Sequence, residues 1–290
     1  MAVAETPGMS RSTSGIILVV IALALAAFGG GLMKSLTDSL SPVMIAWARF
    51  CGSSLILLPF VIWHVGGIRL APHRPLIQTV RGVLMALGNI AFIFGVQQLD
   101  YANAIAILYV YPFIMVFLAP FVLGEKVGIT GWIGVIGGFG GVVMVMRPDV
   151  TGLDYHALFV FVSGAMIAIQ MLLNRLLGAR SNPMVAALWG SMVAAIILTP
   201  FVPFFWSALT TTEVAILALL AVTASVSQTL MILGMGRAAA GDVAPFTYTE
   251  IVSGIVLGFL MFGTLPDALA FMGMALIVIS GILVARMRAQ

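Results

Sequence analysis

Ten apolar runs of about 17 to 23 residues follow one another along the chain, each bounded by a charge, a proline or a polar cluster. They lie at about 15 to 33, 42 to 63, 76 to 97, 102 to 123, 129 to 146, 155 to 174, 184 to 206, 213 to 234, 243 to 263 and 267 to 285. A helix rises about 1.5 Å per residue and the hydrocarbon core of a bilayer is about 30 Å thick, so each run predicts one membrane-spanning helix. The connections are short, the longest running from about Val65 to Pro75, and no soluble domain fits between spans.

Composition agrees with that pattern. The chain is 62% hydrophobic and 8% charged, against roughly a quarter charged in a typical soluble domain, which predicts an all-α integral membrane protein. The net charge of +3 gives no support to nucleic-acid binding. Cys51 is the single cysteine, and His64, His73 and His156 fall in or beside connections without a ligand at metal-site spacing, so neither a metal nor a cofactor is expected. The clusters Gly29-Gly30-Gly31 and Gly137-Gly138-Phe139-Gly140-Gly141 lack the strand-turn-helix setting of a phosphate loop and suit close helix packing.

The position of the basic residues sets the orientation. With a cytoplasmic N-terminus, the inside connections and tails hold Arg11, Arg69, Arg74, Arg81, Lys126, Arg175, Arg180, Arg237, Arg286 and Arg288, and the outside ones hold Lys34 and Arg147. Arg49 is set aside inside the second span. The asymmetry predicts both termini on the cytoplasmic side of a bacterial-type inner membrane. The first run has the look of a cleavable signal peptide, but an internal repeat that includes it argues against removal.

That repeat is the most informative feature of the chain. A shift of 141 positions lays Ile56-Leu57-Leu58-Pro59-Phe60-Val61 over Ile197-Leu198-Thr199-Pro200-Phe201-Val202 and pairs Pro42 with Pro183. A shift of 139 then aligns Gly95 with Gly234, Gly124 with Gly263, Gly134 with Gly273 and Arg147 with Arg286. Each copy holds five spans, an odd number, so the second must enter the membrane upside down. The expectation is two inverted five-helix repeats, 1–148 and 149–290, around a central cavity. Many secondary transporters are built so, with substrate near the midplane and access alternating between faces.

The same shift pairs Asn89 with Gln228, Asn103 with Asp242, Tyr109 with Tyr248 and Tyr111 with Glu250. Polar groups at membrane depth need partners and face the bundle interior or a wet cavity. Glu250 stands out: eight residues past Asp242 is about 12 Å along a helix, and an intramembrane acid is by default a functional candidate. It is a candidate for holding a substrate ammonium, a coupling proton, or the cation of Arg49. Arg49 is either such a partner, an anchor for a substrate carboxylate, or a side chain that snorkels to the outer surface.

The candidate substrate-binding set is Asn89, Tyr109, Tyr111, Gln170, Gln228, Tyr248 and Glu250, with Glu250 and Arg49 as a candidate coupling or ion pair. For Asn89 and Gln228 the alternative is hydrogen bonding between helices; for Tyr109 it is an interfacial anchor. Gln170 and Asn174 share one face of the sixth span, with Gln170 the better placed for a cavity. Trp47 and Trp189 are candidates for cavity lining or for ordinary packing. Pro112 removes a backbone donor next to Tyr111 and predicts a loosened helix there.

Lys34, Pro42, Ala48-Arg49-Phe50, and the stretch from Tyr111-Pro112 through Leu123-Gly124-Glu125 to Gly134 and Gly141 resemble the EamA-type branch of the drug/metabolite transporter superfamily. The resemblance covers nearly the whole chain. It implies a basket of ten helices around a central cavity, in a family whose members export amino acids and related metabolites and in other cases import vitamins or sugars. It also implies that Glu125 is a structural cap. The ninth span departs from the family pattern, with Glu250-Ile251 and Gly263-Thr264 where a proline and a Gly-Glu pair usually recur.

The expectation is thus a non-enzymatic, alternating-access transporter of small polar or amphipathic metabolites, amino acids outward first among them. Uptake of a vitamin or similar solute is the alternative, and a membrane-embedded enzyme lacks a nucleophile with a base beside it. The expected partners are a small-molecule substrate and the lipid bilayer, and a monomer is compatible with the sequence.

Overall fold

The computed structural model describes residues 11–65, 72–124, 127–147, 154–177, 182–238 and 240–287. Among them every regular element is helical, and ten segments are long and apolar enough to cross a membrane. Helices α1 (Arg11–Ser35), α2 (Pro42–Val65) and α3 (Pro75–Val96) form the first three spans. The fourth consists of α4 (Tyr101–Leu108) and α5 (Tyr111–Leu123), and α6 (Ile129–Met146) is the fifth. In the second half come α7 (Tyr155–Leu177), α8 (Pro183–Leu198) with the 3₁₀ turn Thr199–Phe205, and α9 (Thr211–Met235). The ninth span joins α10 (Ala240–Val243), a 3₁₀ segment Ala244–Tyr248 and α11 (Thr249–Phe262), and α12 (Ala268–Met287) closes the chain. The residue Glu125, expected to cap the fourth span, lies outside the described residues.

Local chemistry accounts for the helix ends. Pro42, Pro75 and Pro183 each open a helix at the first position, where the missing N–H has no partner to lose. Asn182 Oδ1 accepts from the Met184 N–H at 2.9 Å and the Val185 N–H at 3.4 Å. Thr210 and Glu213 form a reciprocal capping box at the start of α9. Gly124 and Gly263, counterparts in the repeat, end α5 and α11 at φ 68° and 69°, a left-handed turn that strains any residue with a Cβ. Where α6 and α12 meet at a membrane face, the Arg147 guanidinium donates to Asp267 and holds its carboxyl below the usual carboxylate range.

Two expectations are corrected by the backbone. The ninth span is not one continuous helix up to Glu250, because residues 244–248 take the tighter 3₁₀ form. The fourth breaks at Tyr109-Val110 between α4 and α5, beside Pro112 as its chemistry predicts, and Tyr248, the 139-shifted counterpart of Tyr109, ends the 3₁₀ segment of the ninth. Arg81 does not sit in a connection either: it lies in α3, 9% exposed, and so leaves the inside group of the charge asymmetry.

Helix packing follows the repeat offsets in detail. A Cβ on Gly95 would meet Val160 Cγ2 at 2.4 Å and the His156 carbonyl at 2.6 Å, and one on Gly234 would meet Val19 Cγ2 at 2.7 Å and the Gly15 carbonyl at 2.8 Å. Residues 156 and 160 are the 141-shifted counterparts of 15 and 19. Gly52 against Ala221 and Gly82 against Val193 form a second exchanged pair, and Gly134 against Ser280 with Gly273 against Gly141 a third. Correspondingly α1 packs on α9 as α7 does on α3, α2 on α9 as α8 does on α3, while α6 packs on α12 and α4 on α11.

These close approaches carry a prediction. Gly95→Ala and Gly234→Ala each push a methyl into a backbone carbonyl and a buried valine, an overpacking that costs about 1 to 3 kcal/mol. Thermal unfolding of the detergent-solubilised chain is expected to show both variants lowered by similar amounts. A tolerated substitution at one site and a severe one at the other would break the equivalence.

Candidate functional site

A cavity of about 260 Å³ opens in the middle of the bundle, with Asn89, Arg49, Gln170, Gln228 and Glu250 on its wall beside Met33, Met85 and Ser163. Each polar residue comes from a different helix: Arg49 from α2, Asn89 from α3, Gln170 from α7, Gln228 from α9 and Glu250 from α11. Among the described residues one cation and one acid are its only ionisable wall residues, so with both charged the wall is neutral in sum while polarised across its width.

Glu250 is held from behind. The Tyr109 hydroxyl lies 2.7 Å from Glu250 Oε2 and 2.6 Å from the Thr247 carbonyl oxygen. A phenol has one hydrogen to give. With a proton on Glu250, the carboxyl donates to Tyr109 and Tyr109 donates to Thr247; with Glu250 ionised, Tyr109 donates to the carboxylate and Thr247 loses that bond. The hydroxyl therefore links the charge of Glu250 to the 3₁₀ segment of the ninth span.

Three rings surround this link. Tyr109 is fully buried, its ring centroid 5.3 Å from that of Tyr111 and 5.5 Å from that of Tyr248. The candidate sites Tyr109, Tyr111 and Tyr248 do not line this cavity: they form a stack behind its wall that seats Glu250. Tyr109 is no interfacial anchor, since it belongs to the buried core shared by α4 and α11.

Arg49 and Glu250 share the cavity without pairing. Among the described residues the ion pairs are Arg147–Asp267 and His156–Asp154. Arg49 instead places its guanidinium 5.0 Å from the Phe50 ring centroid and leaves a buried Nε without a protein partner. The expected ion pair is thus absent from this conformation, and so is snorkelling, because the guanidinium turns to the cavity. Asn89 donates weakly to Met33 Sδ at 3.9 Å, and its buried Oδ1 has no protein partner. An acceptor and a cationic donor are left uncommitted beside a carboxylate.

The remaining polar residues singled out by the sequence lie away from this wall. Asn103 keeps a buried Oδ1 outside the cavity wall, and its counterpart Asp242 accepts from Ser12 Oγ at 3.1 Å near the surface. Trp47 donates to Thr199 Oγ1 at 3.0 Å and Trp189 to Thr79 Oγ1 at 3.2 Å, both between helices. Lys34 Nζ caps the end of α3 through the carbonyls of Val96 and Leu99 at 2.7 and 2.8 Å.

A second cavity of about 430 Å³ lies at the end of the bundle marked by Leu177 and Pro183. Gln170, Gln228, Met85 and Ile167 line both cavities, so the two adjoin through that wall. Arg81 lines the second. Its position six residues inside α3 was visible in the sequence, but the adjacent connection drew it into the inside group.

Comparisons with known proteins bear on what such a pair of cavities does. The S-adenosylmethionine uptake transporter of Rickettsia prowazekii (strain Madrid E) is 23% identical over 265 residues, covering 91% of this chain and 90% of that protein. The riboflavin transporter of Rhizobium johnstonii (strain DSM 114642 / LMG 32736 / 3841) is 27% identical, covering 80% and 77%. The pseudopaline exporter CntI of Pseudomonas aeruginosa (strain UCBPP-PA14) is 24% identical, covering 94% and 96%. A protein of known crystal structure shares the fold at a TM-score of 0.63 over 96% of this chain and 99% of its own, at 16% identity. A profile of the EamA-like transporter family matches residues 13–147 and again residues 155–286. The chain is therefore a multi-pass membrane protein that belongs to the EamA-like transporter family of the drug/metabolite transporter superfamily.

Proposed function

We propose that this protein is an uptake permease for a small zwitterionic metabolite with an α-amino-acid head group, of the S-adenosylmethionine kind. The observation that carries the reading is the central cavity in which Arg49 and Glu250 face a common space without pairing. A zwitterion supplies both missing charges: its carboxylate meets the Arg49 fork and its ammonium meets Glu250, with Asn89 Oδ1 as a further acceptor. The rest of the molecule extends past Gln170 and Gln228 toward the second cavity. The name of the Rickettsia relative supports both the head group and the inward direction.

The halves 1–148 and 149–290 are read as inverted copies, supported by the exchanged glycine contacts and by a family profile that matches twice. Rocking of one set of helices against the other opens the cavity to alternate faces. Broken fourth and ninth spans meet at Tyr109 and Glu250, so the hinge and the charge that binds cargo are one unit. The reading puts both termini on the cytoplasmic side of a bacterial inner membrane, supported by the charge asymmetry, which loses Arg81 but keeps its sign.

Glu250 accepts either a proton or the ammonium. The two compete, so cargo and proton exchange across the site. Uptake then runs on the cargo gradient, since an inward proton gradient acting through competition pushes cargo outward. Export of amino acids is the second reading, its outward direction favoured by the name of the Pseudomonas relative, a pseudopaline exporter. Labelled S-adenosylmethionine and amino acids offered to right-side-out and inside-out vesicles separate the two. Net entry from the outer face is the expected result; cargo expelled when the outside is made acid supports export, and no movement from either face contradicts both.

Tyr109→Phe removes the hydroxyl that ties Glu250 to Thr247. A hydrogen bond to a charged group contributes about 1.5 to 3 kcal/mol, so transport efficiency is expected to fall at least tenfold with the protein still folded. Transport within twofold of the parent protein would remove the hydroxyl from the mechanism.

A further inference from the structure

The second cavity contains a cation that no acid among the described residues neutralises. Arg81 is 9% exposed, and among the described residues no Asp or Glu lines the space it faces. Its Nη1 donates to Asn174 Oδ1 at 2.7 Å and its Nη2 to the Ala186 carbonyl. Both acceptors are neutral. They aim the guanidinium but bring no negative charge, and a buried cation without an anion is costly. The ion pairs of the described residues lie elsewhere, at Arg147–Asp267 and His156–Asp154. Lys34 shows the contrast: it too donates to carbonyls, but those end a helix and favour a cation there.

We propose that Arg81 and this inner cavity form a second station on the transport path, which binds the carboxylate of the cargo after it leaves Arg49. The inference rests on the transport reading above and adds a site to it. A planar guanidinium held by two hydrogen bonds presents the rest of its five donors in a fixed fork suited to a carboxylate. The route between stations is polar, because Gln170 and Gln228 belong to both walls. Net positive charge in the inner cavity attracts an anionic group, whereas the central cavity, with one charge of each sign, receives the whole zwitterion. Cargo thus exchanges a two-point grip for a one-point grip as it nears the inner face, which weakens binding on the side of release.

The test uses probes that differ only in the carboxylate: S-adenosylmethionine against its decarboxylated form, and methionine against methioninamide. Equilibrium binding to the solubilised full chain is compared with flux from each face of sided vesicles. The parent protein is expected to prefer the acid of at least one pair. Arg81→Gln is expected to lose at least tenfold of that preference when the probe arrives from the face bearing His73 and Arg74, and less than twofold from the other. Asn174→Asp, which sets a carboxylate on the guanidinium, is expected to erase the same preference without removing Arg81, and decides the matter if Arg81→Gln does not fold. Preference kept in both variants, lost equally from both faces, or absent in the parent protein overturns the inference. Acid-selective binding that needs Arg81, without flux of any probe, supports the station and contradicts the transport reading.

Discussion

Glu250→Gln is expected to weaken binding of a zwitterionic cargo roughly 30-fold or more and to remove the dependence of transport on pH. The substitution keeps the shape of the side chain and its hydrogen bond with Tyr109, now 2.7 Å away, but takes away the negative charge. Loss of one partner from a buried charge pair costs about 2 to 5 kcal/mol, and each 1.4 kcal/mol is about tenfold in affinity. Under the proposed function a proton competes with the cargo ammonium at this carboxylate in the parent protein, so the half-saturation concentration is expected to rise as pH falls and an imposed proton gradient to alter flux. An amide binds neither cation, so both effects vanish together. Glu250→Gln that still responds to a proton gradient would sink the assignment of competition to this residue.

Arg49→Gln has the second largest expected effect, and its signature is different. The guanidinium has a buried Nε without a protein partner and, among the described residues, no acid within pairing distance, so under the proposed function a cargo carboxylate serves as its counter-charge. Removing it is expected to reduce transport efficiency for an acid by at least 30-fold on the same scale, while a decarboxylated probe changes by less than threefold. The discrimination falls equally from both faces, unlike that of Arg81→Gln. Arg49→Lys restores part of the loss, because the charge returns without the planar fork. Equal losses for the acid and the decarboxylated probe would make Arg49 a packing residue.

How much of this was legible before any coordinates follows from what each signal depends on. Ten spans could be read because a bilayer imposes a length and an apolar composition on every crossing, and both are local properties. The two shifts of the repeat could be read because Gly95, Gly134 and their counterparts sit where helices touch, and their size is dictated by the contact. Asn89, Gln170, Gln228, Glu250 and Arg49 were found by the cost of polar groups at membrane depth, and the cavity wall gathers all five.

The rest depended on which way side chains turn. Tyr109, Tyr111 and Tyr248 carry the same polar signal as Glu250, yet they stack behind the wall, because ring packing outweighs the demand of one hydroxyl that finds its acceptors nearby. Whether Arg49 pairs with Glu250 is a question of separation across a cavity, and nothing local encodes it. Arg81 lies one and a half turns from a helix start, a depth at which surface and interior cannot be told apart from sequence position alone. The 3₁₀ stretch before Glu250 is marked only by Pro245, a residue equally at home in the first turn of an α-helix.

The most direct measurement is counterflow in proteoliposomes containing the purified full chain and no other protein. Vesicles loaded with unlabelled S-adenosylmethionine and placed in a trace of the labelled compound are expected to accumulate label transiently above equilibrium, through a carrier that exposes one site to each face in turn. Glu250→Gln and Arg49→Gln are expected to flatten that overshoot. Label retention no greater than in empty liposomes, for this compound and for every other zwitterion of a broad metabolite panel, would contradict the account.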